Sequence, residues 1–320
     1  MTGLDADPRT HEAEAYERLR PLLFSIAYRM LASVAEAEDI VQDAFLRYHG
    51  ALVDGSTRIE SQKAYLSAIT TRLAIDRLRS AQVRRESYIG EWMPEPLLTD
   101  ETSPDAARIV EDGDSLSMAF LLMLERLSPV ERSVFLLHDV FDYGYREVAE
   151  IIDKSEDNCR QLAVRARRHV HEHRPRFEPS REQRDQLASR FFDAVGQGDM
   201  KGLVDLLAAD VVVVGDNGGT RPAWAQPIFG RDRVAPLLIG LGRHARDLEV
   251  RLQRAEINGQ PGALYYAPSG ELMYVIVLEV ADGLIQAVRS VINPDKIRHL
   301  GPVADVRSML HERSERRGVS

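Results

Sequence analysis

The chain has 320 residues, 44% hydrophobic and 28% charged, which suits two or three globular domains with real cores. Cys159 is the only cysteine, so an intramolecular disulfide and a several-cysteine zinc site are both excluded, as fits a reducing compartment. The net charge of −9 is unevenly spread: Glu86, Glu91, Glu95, Asp100, Glu101, Asp105, Glu111, Asp112 and Asp114 face Arg108 alone, whereas Arg160, Arg165, Arg167, Arg168, Arg174 and Arg176 face only Glu172. Local potential governs encounter with DNA, so the acidic total does not exclude a nucleic-acid partner.

The first residues, MTGLDADPRTHEAEAYERL, lack a basic-then-apolar leader pattern. The most apolar stretches, Met273–Val280 and Val211–Val214, fall short of the roughly eighteen residues a membrane helix needs. A cytoplasmic protein with no membrane partner is expected.

Residues 12–85 read as helical. Leu19, Leu22, Leu23, Ile26 and Ala27 recur at helix spacing, as do Ile40, Val41, Ala44 and Phe45, with a capping-box start at Ser33 to Glu36 between them. Gly50 to Gly55 reads as a loop, and a third amphipathic helix is expected from Gln62 to Arg79 on Leu66, Ile69, Leu73 and Leu78. Residues 86–115 read as an acidic linker with Pro94, Pro96 and Pro104, although Trp92 and Met93 are too apolar for a passive tether.

Helices resume over residues 116–175, one of them starting at Ser128-Pro129. Residues 145–169 read as a helix-turn-helix. Val148, Ala149, Ile151 and Ile152 give the first helix its apolar face, Asp153-Lys154 break it, and Ser155 caps the next. That second helix carries Arg160, Gln161 and Arg165 for base edges and Arg167 and Arg168 for phosphates, with Leu162, Ala163 and Ala166 left to pack inward.

Residues 183–304 change to an α+β pattern. Helices are expected at 187–195, 201–207 and near 234–240. Strands are expected at 211–214, 248–252, 263–266, 272–278 and 284–292, the late ones antiparallel. A polar tail, residues 305–320, closes the chain.

AEAEDIVQDAFLRYH (35–49) and AYLSAITTRLAIDRLRS (64–80) resemble regions 2.2 and 2.3–2.4 of extracytoplasmic-function (ECF) sigma factors of the sigma-70 family, and residues 126–170 resemble their region 4. YIGEWMPEPLLT (88–99) and NPDKI (293–297) are similar to motifs of the SigJ-like subgroup, which carries a C-terminal SnoaL-like domain of NTF2-like fold. The resemblance implies two all-α sigma domains, then a cone-shaped α+β domain. It departs from the family at Tyr65 and Arg72, where Trp and Asn are usual, and at Asp216-Asn217-Gly218-Gly219-Thr220, where a DGGGK-like loop would carry a lysine.

The resemblance also implies roles. Glu38, Asp39, Gln42 and Asp43, on an acidic face that begins at Glu36, would dock on the β′ clamp helices of core RNA polymerase, with region 4 on the β flap. Arg72, Asp76, Arg77 and Arg79 would serve the −10 element, although Asp76 equally well pairs with Arg72 or Arg79 at helical spacing; Arg84 and Arg85 would hold phosphates. Asn158, Arg160, Gln161, Arg165, Arg167 and Arg168 would serve the −35 element of promoter DNA. Trp92, Pro94, Glu95, Pro96, Asp216, Gly218, Gly219, Asn293, Pro294, Asp295 and Lys296 would make regulatory contacts between linker and tail, so that no separate anti-sigma protein is required.

The linker has two readings: a strand of carboxylates that occupies the basic polymerase channel, or a strap that docks on the C-terminal domain through Trp92–Pro96. His169, His171 and His173 alternate, but no carboxylate or thiol completes a metal set, so no metal and no cofactor are expected. Asp210, Asp216, His244 and Tyr274 are the acid–base candidates for a SnoaL-type cyclase or isomerase, yet no spacing singles one out, and no enzyme is expected. A one-component regulator with a ligand pocket is the other alternative; it leaves region 2 without a task. An unknown small ligand in the C-terminal cavity is compatible with all three readings.

Overall fold

The computed structural model describes residues 8–55, 58–86, 88, 90–99, 113–171, 180–218 and 226–304. The chain divides into two compact units, one of residues 1–86 and 103–174, the other of residues 87–102 and 175–320. The two helical regions expected as separate modules therefore lie in one unit, and part of the linker belongs to the other. Among the described residues no helix is long and apolar enough to cross a membrane.

The first unit is all-α. Helices α1 (Pro8–Leu31), α2 (Val34–Asp54) and α3 (Gln62–Glu86) pack on one another around Leu19, Leu23, Ile26, Ile40, Val41, Leu66 and Leu78. Ser33 caps α2 by accepting from the Glu36 amide at 3.2 Å. Gly50 does not open a loop, because α2 runs through it to Asp54 and stops at left-handed Gly55. A helical glycine costs only about 1 kcal/mol, which the packing of this long helix absorbs.

Short helix α4 (Met118–Leu124) is capped by Ser117, and α5 (Pro129–Phe135) by a reciprocal box of Ser128 and Glu131. A wider, π-type turn (Leu136–Val140) leads to α6 (Tyr145–Ile152). Asp153 ends α6 in the left-handed region at φ 55°, and Ser155 starts α7 (Glu156–His171), its Oγ accepting from the Asn158 amide at 3.3 Å.

The second unit is α+β. Helices α8 (Arg181–Gln197), α9 (Met200–Leu206) and α10 (Arg231–Asp247) share a core with a six-stranded sheet of order β2-β1-β6-β5-β4-β3. The strands are β1 (Leu207–Asp216), β2 (Ile228–Phe229), β3 (Arg251–Ile257), β4 (Gln260–Tyr266), β5 (Leu272–Ala281) and β6 (Leu284–Val291), followed by helix α11 (Pro294–Ile297). Phe191, Leu203, Val211, Val213, Leu238, Tyr265, Leu278 and Val288 fill the helix-covered face. Register breaks in β1, β4 and β5 are the irregularities that bend a sheet.

The late strands β3 to β6 pair antiparallel, as expected, while β1 joins β6 in parallel and β2 in antiparallel fashion. One expectation is corrected. The strand expected at 248–252 lies at Arg251–Ile257 instead, because Val250 closes the turn after α10 by donating its amide to the Ala245 carbonyl.

Candidate functional site

The helix-turn-helix forms because two apolar stripes face each other. Val148, Ala149, Ile151 and Ile152 of α6 are buried, as are Cys159, Leu162, Ala163, Ala166 and Val170 of α7. Opposite that stripe, Asp157, Gln161, Val164 and Arg168 repeat at spacings of four, three and four and line the outward face, all exposed. Asn158 and Arg165 flank this line and are exposed as well.

Several of the arginines hold acids of their own unit. Arg160 reaches Asp157 at 2.9 Å and Glu156 at 2.7 Å, with its guanidinium 5.4 Å from the Tyr145 ring. Arg165 lies 3.5 Å from Glu131. Arg167 lies 2.6 Å from Asp139, whose hydrogen bond pushes the arginine pKa further above its ordinary value. Exposed pairs of this kind are worth about 0–1 kcal/mol, so a phosphate can displace the carboxylate at little cost. The Gln161 side chain makes no hydrogen bond among the described residues.

On α3 the expected −10 residues divide. Arg72, Asp76 and Arg79 share a face by their spacing, whereas Arg77 is turned to α2, 3.9 Å from Glu36. Asp76 pairs with Arg79 at 3.3 Å and not with Arg72. Arg72 instead donates to the carbonyls of Ile151 at 2.7 Å and Glu150 at 2.9 Å, at the C-terminal end of α6, where a cation suits the helix dipole. The side chains of Arg84 and Arg85 lie outside the described residues.

The same seam is closed by a buried Ser67–Tyr143 hydroxyl pair at 2.8 Å and by Lys63, 5.1 Å from the Tyr143 ring centroid. Buried Arg132 donates to the Met30 carbonyl at 2.6 Å, and Arg29 to Ser115. None of these partners carries a signal in the sequence, because each joins residues far apart in the chain.

Of the expected polymerase-docking residues on α2, Asp39, Gln42 and Asp43 are exposed, while Glu38 holds Arg20 at 2.7 Å. Sequence reasoning missed Leu46, 61% exposed on the same face one turn further on. The signal was available: Leu46 is apolar but falls off the stripe of Ala37, Ile40, Val41, Ala44 and Tyr48.

In the second unit the linker is docked. Asp216, fully buried at the end of β1, accepts from Lys296 Nζ at 2.6 Å, the Met93 amide at 2.8 Å and the Tyr88 hydroxyl at 2.5 Å. Lys296 also donates to the Met93 carbonyl at 2.5 Å, and its ammonium sits 4.3 Å from the Trp92 ring and 4.9 Å from the Tyr88 ring. Asn293 caps α11 through the Asp295 amide and donates to Tyr88 at 2.9 Å. Burial, reinforced by Asp216, pushes the Tyr88 phenol well above its usual pKa, so it stays a proton donor.

Gly218 has φ +63°, and a Cβ there would lie 2.7 Å from Asn293 Nδ2, so only glycine fits. Further along, the Pro96 carbonyl meets His299 Nε2 at 2.8 Å. Leu97 donates to the Asn258 side chain at 2.9 Å and accepts from the Asn258 amide at 2.8 Å. The Thr99 amide donates to the Glu256 carbonyl at 2.9 Å, and Leu98 bridges Ile257, so the linker lies antiparallel along the edge of β3.

Trp92, Asp216, Gly218, Asn293 and Lys296 therefore come together, and Pro96 meets His299 beside them. Pro94 is buried and Glu95 half-buried, Pro294 opens α11, and the Asp295 side chain turns to Arg298 at 3.7 Å; Gly219 lies outside the described residues. Tyr88, Thr99, Asn258 and His299 were missed. Asn258-Gly259, both left-handed, was legible as a tight hairpin turn.

The acid–base candidates are scattered. Asp216 belongs to the linker site, on the sheet face opposite Val211 and Val213. Asp210 and His244 are exposed, and Tyr274 stacks on Tyr265 at 4.4 Å within the helix-covered core. No cluster of His, Cys, Asp and Glu suited to a metal occurs among the described residues, which include His169 but not His173.

Two families match in chain order: Sigma-70 region 2 over residues 15–84 and Sigma-70, region 4 over residues 117–170. The chain is 36% identical to the ECF RNA polymerase sigma factor SigJ of Mycobacterium tuberculosis, over 89% of this chain and 93% of that one. It is 32% identical to the "Probable ECF RNA polymerase sigma factor SigI" of the same species, over 88% and 93%. The crystal structure of M. tuberculosis SigJ superposes with a TM-score of 0.72 at 34% identity, covering 89% of this chain and 98% of that chain. Helix-turn-helix, acidic α2 face and docked linker thus occur in a chain that belongs to the extracytoplasmic-function RNA polymerase sigma factors.

Proposed function

We propose that this sigma factor reads a two-part promoter on core RNA polymerase and is regulated in cis by its C-terminal unit through the docked linker. In this reading α7 enters the major groove at the −35 element through Asn158, Arg160, Gln161 and Arg165, with Arg167 and Arg168 on phosphates. The −10 element falls to Arg72, Asp76, Arg77 and Arg79 of α3. Glu38, Asp39, Gln42 and Asp43 of α2 meet the β′ clamp helices, and residues 116–175 meet the β flap. Because Arg72 is spent on the α6 carbonyls, use of α3 at the −10 element requires that clasp to be exchanged for DNA.

The observation that carries the regulatory reading is the Asp216–Lys296 pair closed on the Met93 backbone, which commits residues 88–99 to the C-terminal unit. A strap so held is withheld from the polymerase channel, and its release frees a carboxylate-bearing strand to enter there. The strap takes the place of a separate anti-sigma protein. A second reading, a small ligand with a hydrogen-bonding group that biases the strap, is supported by Tyr265 and Tyr274: they stack in the core, yet neither hydroxyl has a hydrogen-bond partner among the described residues.

Run-off transcription with core polymerase tests the proposal. Full-length protein is compared with a chain ending before Asp295 and with Lys296→Met. Promoter-specific initiation by the full chain, changed in both variants, is expected. No initiation by any of the three removes the promoter-reading part, and identical initiation by all three removes the regulatory part.

A further inference from the structure

A valine that the −35 assignment did not use lies in the middle of the outward line of α7. Val164 is 63% exposed, among the largest exposures of any apolar side chain described. Its neighbours on that line are polar or charged: Asp157 and Gln161 before it, Arg168 after it. The helix does not need valine there. A β-branched residue has below-average helix propensity, and the inner face is complete with Cys159, Leu162, Ala163, Ala166 and Val170.

We propose that Val164 determines specificity at the −35 element by packing its methyl groups on the C5-methyl of one thymine in the major groove. The thymine methyl is the apolar feature of a base edge there, and a branched aliphatic side chain is its natural complement. Gln161, one turn before Val164 on the same line, with its amide uncommitted, would read the adjoining base pair through hydrogen bonds. The proposal rests on the reading of α7 as the −35 helix and adds to it a base identity and a contact that carries no charge. Loss of that contact would leave the salt dependence of binding unchanged, unlike loss of a phosphate-binding arginine.

The experiment uses holoenzyme assembled from the full-length chain and core RNA polymerase. The preferred −35 sequence is first selected from promoters randomised in that element. Each thymine of the selected element is then replaced in turn by deoxyuridine, which lacks only the methyl group. At one position the wild-type holoenzyme should lose about fourfold in affinity, the value of one buried methyl-sized group. Val164→Ala should be indifferent to the methyl at that position while responding normally elsewhere, and Val164→Thr, which keeps a γ-methyl, should regain part of the response. An element without thymine, or a Val164→Ala protein with unaltered uracil responses, overturns the inference and leaves α7 as the −35 helix. Selection that returns no −35 preference overturns both.

Discussion

The charges of α7 and the charges of the linker site are opposites in their surroundings. Arg160 and Asp157 meet at 50% and 89% side-chain exposure, whereas Lys296 and Asp216 meet at 9% and 0%. At the surface, water screens the pair and the arginine can leave its carboxylate for a phosphate. In the interior, each ion has lost its hydration and depends on the other. One chain thus holds ion pairs of two kinds: exchangeable ones on the helix proposed to read DNA, and a lock where a segment is held.

The largest effect is expected at the lock. Lys296→Met leaves Asp216 buried without its cation and should cost the C-terminal unit about 3–5 kcal/mol, read as a lower midpoint in denaturant. Adding Asp216→Asn should recover a good part of that loss, since the partnerless charge is then gone. If the single and double variants were equally unstable, the pair would not be the lock. Next in size is Gly218→Ala, with an expected loss of about 1–3 kcal/mol, because alanine must adopt φ +63° and displace Asn293 from Tyr88. A thermal midpoint equal to wild type would mean that the Tyr88–Asn293 contact contributes nothing.

The smallest expected change in stability tests the exchangeable kind. Arg160→Ala breaks two exposed pairs and should move folding stability by less than about 1 kcal/mol. The same change should weaken binding to the selected −35 sequence by about 1–3 kcal/mol and relax preference at one base pair. Equal losses in folding and in binding would make Arg160 a structural residue.

Legibility in the sequence followed the range of the interactions. The helix-turn-helix was readable because its signals are local: the apolar spacing of Val148 to Ile152, the break at Asp153 and the cap at Ser155. The apolar Trp92 and Met93 marked the linker as more than a tether, but its counterpart on the tail was readable only through the resemblance of a second motif about two hundred residues away, and Tyr88 escaped because nothing local marks it. Strand β3 was misplaced for a physical reason: Arg251, Leu252, Gln253 and Arg254 are all exposed, so the alternation that betrays a half-buried strand is missing. Arg72 was assigned to DNA through the resemblance, and its present partners, two backbone carbonyls, leave no trace in composition.

The segment Leu97–Thr99 also seals the outermost strand of the sheet. Unfastening it strips β3 of those partners and presents a bare row of amides and carbonyls to any passing chain. Under the regulation proposed above, the released form carries a liability toward self-association that the docked form lacks. Three residues of backbone thereby link release of the strap to solubility.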